Sequence, residues 1–230
     1  MSIIRFNTDE VFDTDSSEYE ILVEAVDAIK VSGLIVEIGT RRGGSAKLII
    51  DGLAKNNNTN RTMICIDPYG NITMDSTNHN VTLHYPGQYN IQGDPHSKDE
   101  TIPLRYDYTN TMRNRIIPSL YYYAFQAGLN FSFQCLEDIE YFKRYHDGFP
   151  VYDNEKTIVN EYAFVFFDGP HNNIALTNEV MFFADRSKSG TVFVFDDEWM
   201  YDSNKIDDIL NNRNFELIRR GNIKSFWIKK

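Results

Sequence analysis

Three apolar runs in this chain end in acids: Met63-Ile64-Cys65-Ile66 leads into Asp67, Val165-Phe166-Phe167 into Asp168, and Phe193-Val194-Phe195 into Asp196-Asp197. A fourth run, Leu34-Ile35-Val36-Glu37-Ile38, opens into Gly39-Thr40-Arg41-Arg42-Gly43-Gly44-Ser45. Glycines at such a turn let backbone pass close to a ligand, and a helix starting there offers free N–H groups to an anion. The spacing matches neither the GxGxxG of dinucleotide sites nor a P-loop, which would end in Lys-Ser/Thr. Asp67 stands where an acid can accept both hydroxyls of a ribose, although an Asp-Pro pair also suits a plain turn. Asp168, Asp196 and Asp197 would repel one another at a shared sheet edge unless protons or a cation intervened. Hard carboxylate oxygens suit Mg²⁺, Ca²⁺ or Mn²⁺, whereas capping a helix or meeting a cofactor's amino group would need no metal. His171, three residues beyond Asp168, titrates near neutrality and can take a proton from a hydroxyl.

Positioning these groups requires strands that end together. Leu34–Ile38, 62–66, 163–167 and 191–195 read as short strands buried on both faces, with 131–133 a briefer one. Helical spacing recurs over 17–30, from about 45, over 111–127 with Pro118 as a break or kink, and over 136–145, 174–185 and 204–210. Strands 215–219 and 225–228, separated by a short turn at Arg220-Gly221-Asn222, read as an antiparallel hairpin. The alternation predicts an α/β fold: a Rossmann-like, doubly wound, mostly parallel seven-stranded sheet closed by that C-terminal hairpin. Residues 1–230 form one domain in this reading, with a polar insertion at about 69–110, either a lid or a disordered segment.

Composition narrows the function. With 42% apolar and 24% charged residues the chain is globular in character. A formal net charge of −10 argues against nucleic acid as the main partner, because a phosphate backbone calls for a basic surface. The substrate is expected to be a small molecule. No run is long enough for a transmembrane helix, and the first residues turn acidic where a secretory signal would turn apolar. Only Cys65 and Cys135 occur, which fits a reducing, cytoplasmic setting better than a disulfide scaffold. A homo-oligomer remains open.

Glu37-Ile38-Gly39-Thr40-Arg41-Arg42-Gly43-Gly44-Ser45 resembles the first motif of class I S-adenosylmethionine (SAM)-dependent methyltransferases, with its acid-x-Gly-x-x-x-Gly core intact. The resemblance extends over most of the chain from Gly33 to Lys230, apart from the insertion. It implies that Gly39, Thr40, Gly43 and Ser45 shape the pocket for the methionine end of SAM, that Glu37 supports the turn, and that Asp67 binds the ribose. Gln134 and Cys135 would lie by the adenine edge, although the family usually has Asp at the position of Gln134. The strand-end acids resemble those of metal-dependent O-methyltransferases of the macrocin and catechol types. That likeness implies metal ligation, most simply of Mg²⁺, by Asp168, Asp196 and Asp197, with Asp168 also near the cofactor and His171 as catalytic base. The implied reaction is methylation of a sugar or phenolic hydroxyl, with Trp199, Tyr201, Tyr106 and Tyr108 available to stack on a ring. A metal-independent methyltransferase and a non-catalytic SAM-binding protein are the alternatives; a nicotinamide-dependent oxidoreductase fits the glycine spacing poorly.

Overall fold

A computed structural model describes residues 12–14, 16–69, 72–77, 80–84, 105–108, 110–169 and 172–230, with 72–77, 80–84 and 105–108 described by their backbone. Seven strands form its main sheet: β1 (Leu34–Ile38), β2 (Thr62–Ile66), β6 (Asn130–Gln134), β9 (Tyr162–Phe167), β10 (Ser187–Phe195), β11 (Phe215–Arg220) and β12 (Ser225–Lys229). Across the sheet their order is β11-β12-β10-β9-β1-β2-β6. Pairings among β6, β2, β1, β9 and β10 are parallel, and β12 runs antiparallel to both β10 and β11. The expected doubly wound sheet with a reversed C-terminal hairpin is the fold observed.

Both faces of the sheet are covered, which explains why its central strands read as unbroken apolar runs. Helices α1 (Tyr19–Asp27), α2 (Gly44–Lys55) and α3 (Asn110–Gln126) pack Leu22, Val26, Ile49, Leu53, Ile116 and Leu120 against Ile35, Phe164, Phe166, Val192 and Val194. On the other face, α4 (Asp138–Arg144), α5 (Asn173–Ala184) and α6 (Ser203–Asn211) cover Val36, Ile38, Val165, Phe167, Phe193 and Phe195. Each such side chain contributes about 1.5–3 kcal/mol by leaving water. The chain passes from β2 and β6 on one side of β1 to β9 and β10 on the other. This reversal is the switch point where ligands settle in open α/β sheets.

Three elements differ from expectation. Helix α3 continues through Pro118. A hairpin of β7 (Phe149–Tyr152) and β8 (Lys156–Val159) occupies the polar stretch between 145 and 163, where the sequence predicts no element. Within the polar insertion, β3 (Ile72–Thr77), β4 (Asn80–His84) and β5 (Arg105–Tyr108) form a separate antiparallel sheet of order β4-β3-β5. No helix among the described residues is long and apolar enough to cross a membrane.

The segment before α1 is tied to the far end of the chain. Glu18 sits at a left-handed φ of 56° and its carboxylate accepts the backbone N–H groups of Asn222 at 2.8 Å, Ile223 at 3.0 Å and Lys224 at 3.1 Å. These bonds hold its carboxyl down at about 2. A Cβ at residue 221 would lie 2.2 Å from Glu18 Oε2, so a side chain there would push the clasping carboxylate aside. The clasp fixes the turn between β11 and β12, and with it the start of β12, at the carboxyl-terminal edge of the parallel strands.

Candidate active site

The β1 exit is built around a backbone crossing. Gly39 has φ +83°, and a Cβ there would lie 1.8 Å from the carbonyl oxygen of Asp168. Its N–H donates to the Ile66 carbonyl at 2.9 Å, while the Asp168 N–H donates to the Ile38 carbonyl at 3.0 Å. The ends of β2, β1 and β9 are thereby laced together at the switch point. Gly43, at φ +72°, caps the start of α2, and its N–H closes a turn onto the Thr40 carbonyl at 2.7 Å. Thr40 and Ser45 are buried.

Glu37 is fully buried beneath this turn. Its Oε1 accepts from Ser45 Oγ at 2.6 Å and its Oε2 from Cys65 Sγ at 3.3 Å. Burial pushes its carboxyl up to about 6, with these hydrogen bonds opposing. Glu37 therefore staples β1 to the first turn of α2 and to β2. Cys65, a thiol donor in that staple, is a part of the turn that sequence reasoning passed over.

Asp67 is buried at the β2 exit, where its Oδ2 accepts the Arg41 N–H at 2.9 Å and its Oδ1 the Tyr69 N–H at 3.0 Å. The Tyr69 hydroxyl donates to the Arg41 carbonyl, closing a ring of contacts between the two strand exits. Burial pushes the Asp67 carboxyl up to about 7, against the pull of the Arg41, Tyr69 and Thr40 N–H groups. Backbone donors from both strand exits thus hold this carboxylate, which has about four acceptor positions in all.

Gln134 and Cys135 follow at the end of β6. The Gln134 carbonyl accepts the Asp67 N–H at 3.1 Å, which sets the strand exit beside Asp67. Its side chain is already engaged: Oε1 accepts from the Tyr145 hydroxyl and Nε2 donates to Ser132 Oγ, both at 2.8 Å. Cys135 is an exposed free thiol.

At the acidic edge, Phe167 and Phe195 are paired in register and stack with centroids 4.6 Å apart. The next residues, Asp168 and Asp196, consequently leave neighbouring strands side by side, and the Asp196 N–H donates to the Phe167 carbonyl at 3.0 Å. Burial, then Asp196 and Asp197, push the Asp168 carboxyl well above the usual carboxylate range. Asp197 stands at a left-handed φ of 48° and its Oδ1 accepts from Trp199 Nε1 at 3.2 Å.

Asp168, Asp196 and Asp197 are the residues expected to ligate a metal. Among the described residues, no group of three or more His, Cys, Asp or Glu is placed to hold an ion. A protein cation already occupies this edge: Lys224 is completely buried and its Nζ donates to Asp196 Oδ1 at 2.7 Å and to Ser16 Oγ at 2.7 Å. Ser16 Oγ in turn donates to the same Oδ1 at 3.1 Å, and the Asp197 N–H reaches it at 2.8 Å. The ammonium also lies 4.6 Å from the ring centre of Tyr19. Asp196 is thus already neutralised by a protein cation.

Trp199 is 60% exposed on the rim, whereas Tyr201 is buried in the core and presents no ring for stacking. His171 lies outside the described residues, as do the side chains of Tyr106 and Tyr108.

No protein-family model matches the sequence, and no curated protein matches it. Solved structures do match. The chain is similar to the O-methyltransferase NovP, at 16% identity and TM-score 0.56 over 93% of this chain and 79% of that one. It is also similar to the calicheamicin methyltransferase CalS11, at 12% identity and TM-score 0.58 over 91% and 78%. An O-methyltransferase from Bacillus cereus in complex with SAH matches at 11% identity and TM-score 0.50 over 96% and 86%. The chain has the Rossmann-like methyltransferase fold. At these identities the likeness speaks for the fold alone; activity must be argued from the site.

Proposed function

We propose that this protein is a SAM-dependent methyltransferase that methylates a hydroxyl of a small acceptor, a sugar or a phenol. The observation that carries the reading is Asp67: a buried acid held by backbone N–H groups beside the Gly39–Gly43 turn, at the switch point of a methyltransferase fold. In this reading the ribose hydroxyls of SAM donate to Asp67, which requires the Tyr69–Arg41 closure over it to open. The turn from Gly39 and the N-terminus of α2 face the methionine carboxylate with backbone N–H groups, and Glu37 keeps that turn in place. The backbone around Cys135 borders the adenine, and the carboxyl of Asp168 stands near the methionine amino group.

When bound, SAM supplies an electrophilic methyl group on a sulfonium centre. The protein's part is to hold an acceptor oxygen in line with that methyl and to remove the oxygen's proton, a task assigned to His171, just ahead of α5. Trp199, exposed on the rim, offers a face for an acceptor ring. A divalent metal is not carried into this mechanism, because Lys224 supplies the positive charge at Asp196. Both cysteines are free thiols, in keeping with a reducing compartment such as the cytoplasm.

Calorimetric titration of the purified protein with SAM and SAH in the presence of EDTA tests the cofactor. Saturable micromolar binding is expected, and absence of binding overturns the proposal. Turnover is then screened on sugar and phenolic hydroxyls. With an acceptor in hand, His171→Ala should lower turnover about 100-fold or more and leave SAM affinity unchanged; an equal loss of affinity would remove His171 from the role of base.

A further inference from the structure

Among the described residues of the acidic edge, Lys224 is the one whose burial has no explanation in packing alone. A lysine is rarely fully buried unless it is paired, and here the whole side chain is enclosed. Its ammonium is aimed at the first residue after β10, not at solvent. It reaches Asp196 Oδ1 and Ser16 Oγ, each at 2.7 Å, with the Tyr19 ring on another side. Two separate devices bring it there. The antiparallel course of β12 places the residue before Ser225 at the carboxyl ends of the parallel strands, since Ser225 pairs with Phe195. The Glu18 clasp then grips the backbone N–H groups of Ile223 and Lys224 from the other end of the chain.

We infer that Lys224 is the resident cation of this site: its ammonium supplies at Asp196 the positive charge that a divalent ion would otherwise bring, and it positions Asp196 beside Asp168 for methyl transfer without a metal. The catalytic half of this inference rests on the proposed methyltransferase function; the electrostatic half does not. A divalent ion placed on Asp196 would share one carboxylate with a buried ammonium, and like charges repel strongly where water is excluded. Loss of the ammonium would leave buried Asp196 without this counter-charge beside Asp168, the situation in which an added cation becomes favourable.

Mn²⁺ is the probe, followed by its EPR signal and by calorimetry, with and without SAH, on wild type, Lys224→Met and Lys224→Arg. Wild type is expected to lack a saturable Mn²⁺ site and to keep its thermal midpoint and SAH affinity in EDTA. Lys224→Met is expected to melt lower than wild type and to recover midpoint as Mn²⁺ is added; Lys224→Arg should remain insensitive to Mn²⁺. Stoichiometric Mn²⁺ binding by wild type, or a midpoint that EDTA lowers, overturns the inference. So does a Lys224→Met protein that melts with wild type, or one that melts lower with no response to Mn²⁺, since the lysine would then serve packing alone. If Lys224→Met does not fold, the wild-type titration decides. Failure of SAH to bind would sink the proposed function and still leave the Mn²⁺ result readable.

Discussion

Asp67→Asn is expected to lower SAM affinity about 100-fold, the size of effect given by losing a charged acceptor for two hydroxyl donors. The amide keeps the size of the carboxylate and one of its acceptor oxygens, but its NH₂ group faces an N–H or a hydroxyl that also needs an acceptor. Charge removal itself should not harm the fold. Burial holds the Asp67 carboxyl at about 7, above its unfolded value, so the folded protein binds the extra proton more readily. The sign follows: this group's contribution to stability is most favourable below the unfolded pKa and declines as pH rises towards about 7. An isosteric neutral residue escapes that decline, at the cost of about 1 kcal/mol for one mismatched hydrogen bond.

Binding has the opposite pH dependence. Ribose hydroxyls donate to the ionised carboxylate, so wild-type affinity should be level above about 7 and weaken below it, by up to about tenfold per pH unit. Asp67→Asn should remove that slope. Calorimetry across pH 5.5 to 8.5, alongside thermal melts, separates the outcomes. Unchanged SAM affinity in the variant would take Asp67 out of the ribose site, and a large fall in melting temperature would recast it as a structural tie between β1 and β2.

Gly39→Ala should cost more stability than any surface change, about 4 kcal/mol or more. A left-handed φ alone penalises alanine by about 1 kcal/mol. Most of the cost is steric, because the added methyl would lie 1.8 Å from the Asp168 carbonyl oxygen. That oxygen is backbone and cannot rotate away as a side chain could. Relief requires separating the β1 exit from the β9 exit, which breaks the Asp168 N–H bond to Ile38 and moves Asp168 away from the cofactor turn. For a chain of this size the expected fall in melting midpoint is about 10 °C, together with loss of SAM binding. A variant that melted within a few degrees of wild type would mean that the two exits are not in contact.

Legibility in the sequence followed burial. Strands β1, β2, β9 and β10 are covered on both faces, so each announces itself as an apolar run, and the acid that ends it marks the sheet edge. The hairpin of β7 and β8 was invisible for the converse reason. Tyr152 and Ile158 face solvent, and a two-stranded ribbon that is mostly exposed leaves no period-two contrast to read. The strands in the insertion are short and mix Ile, Met, Val and Leu with Thr, Ser, Asn, Asp and His, so neither Ile72–Thr77 nor Asn80–His84 reads as an apolar run.

At the site, Glu37, the glycine turn and Asp67 could be found because they follow one another over two consecutive strands. The acids were legible and their partner was not. Lys224 is 28 residues from Asp196 and immediately precedes a strand of opposite direction. Only the predicted hairpin, taken together with its antiparallel course, would have placed a lysine opposite that acid.

The Glu18 clasp has a consequence for how the protein is made. It joins residues separated by 204 to 206 positions, so it cannot close until the last strand has left the ribosome. Until then β10 is an unpaired edge rich in Val and Phe, and such an edge invites pairing with another chain. The same late step delivers Lys224 to Asp196. A nascent chain halted before Lys224 would therefore carry the complete Gly39–Gly43 turn beside an acidic edge that still lacks its cation.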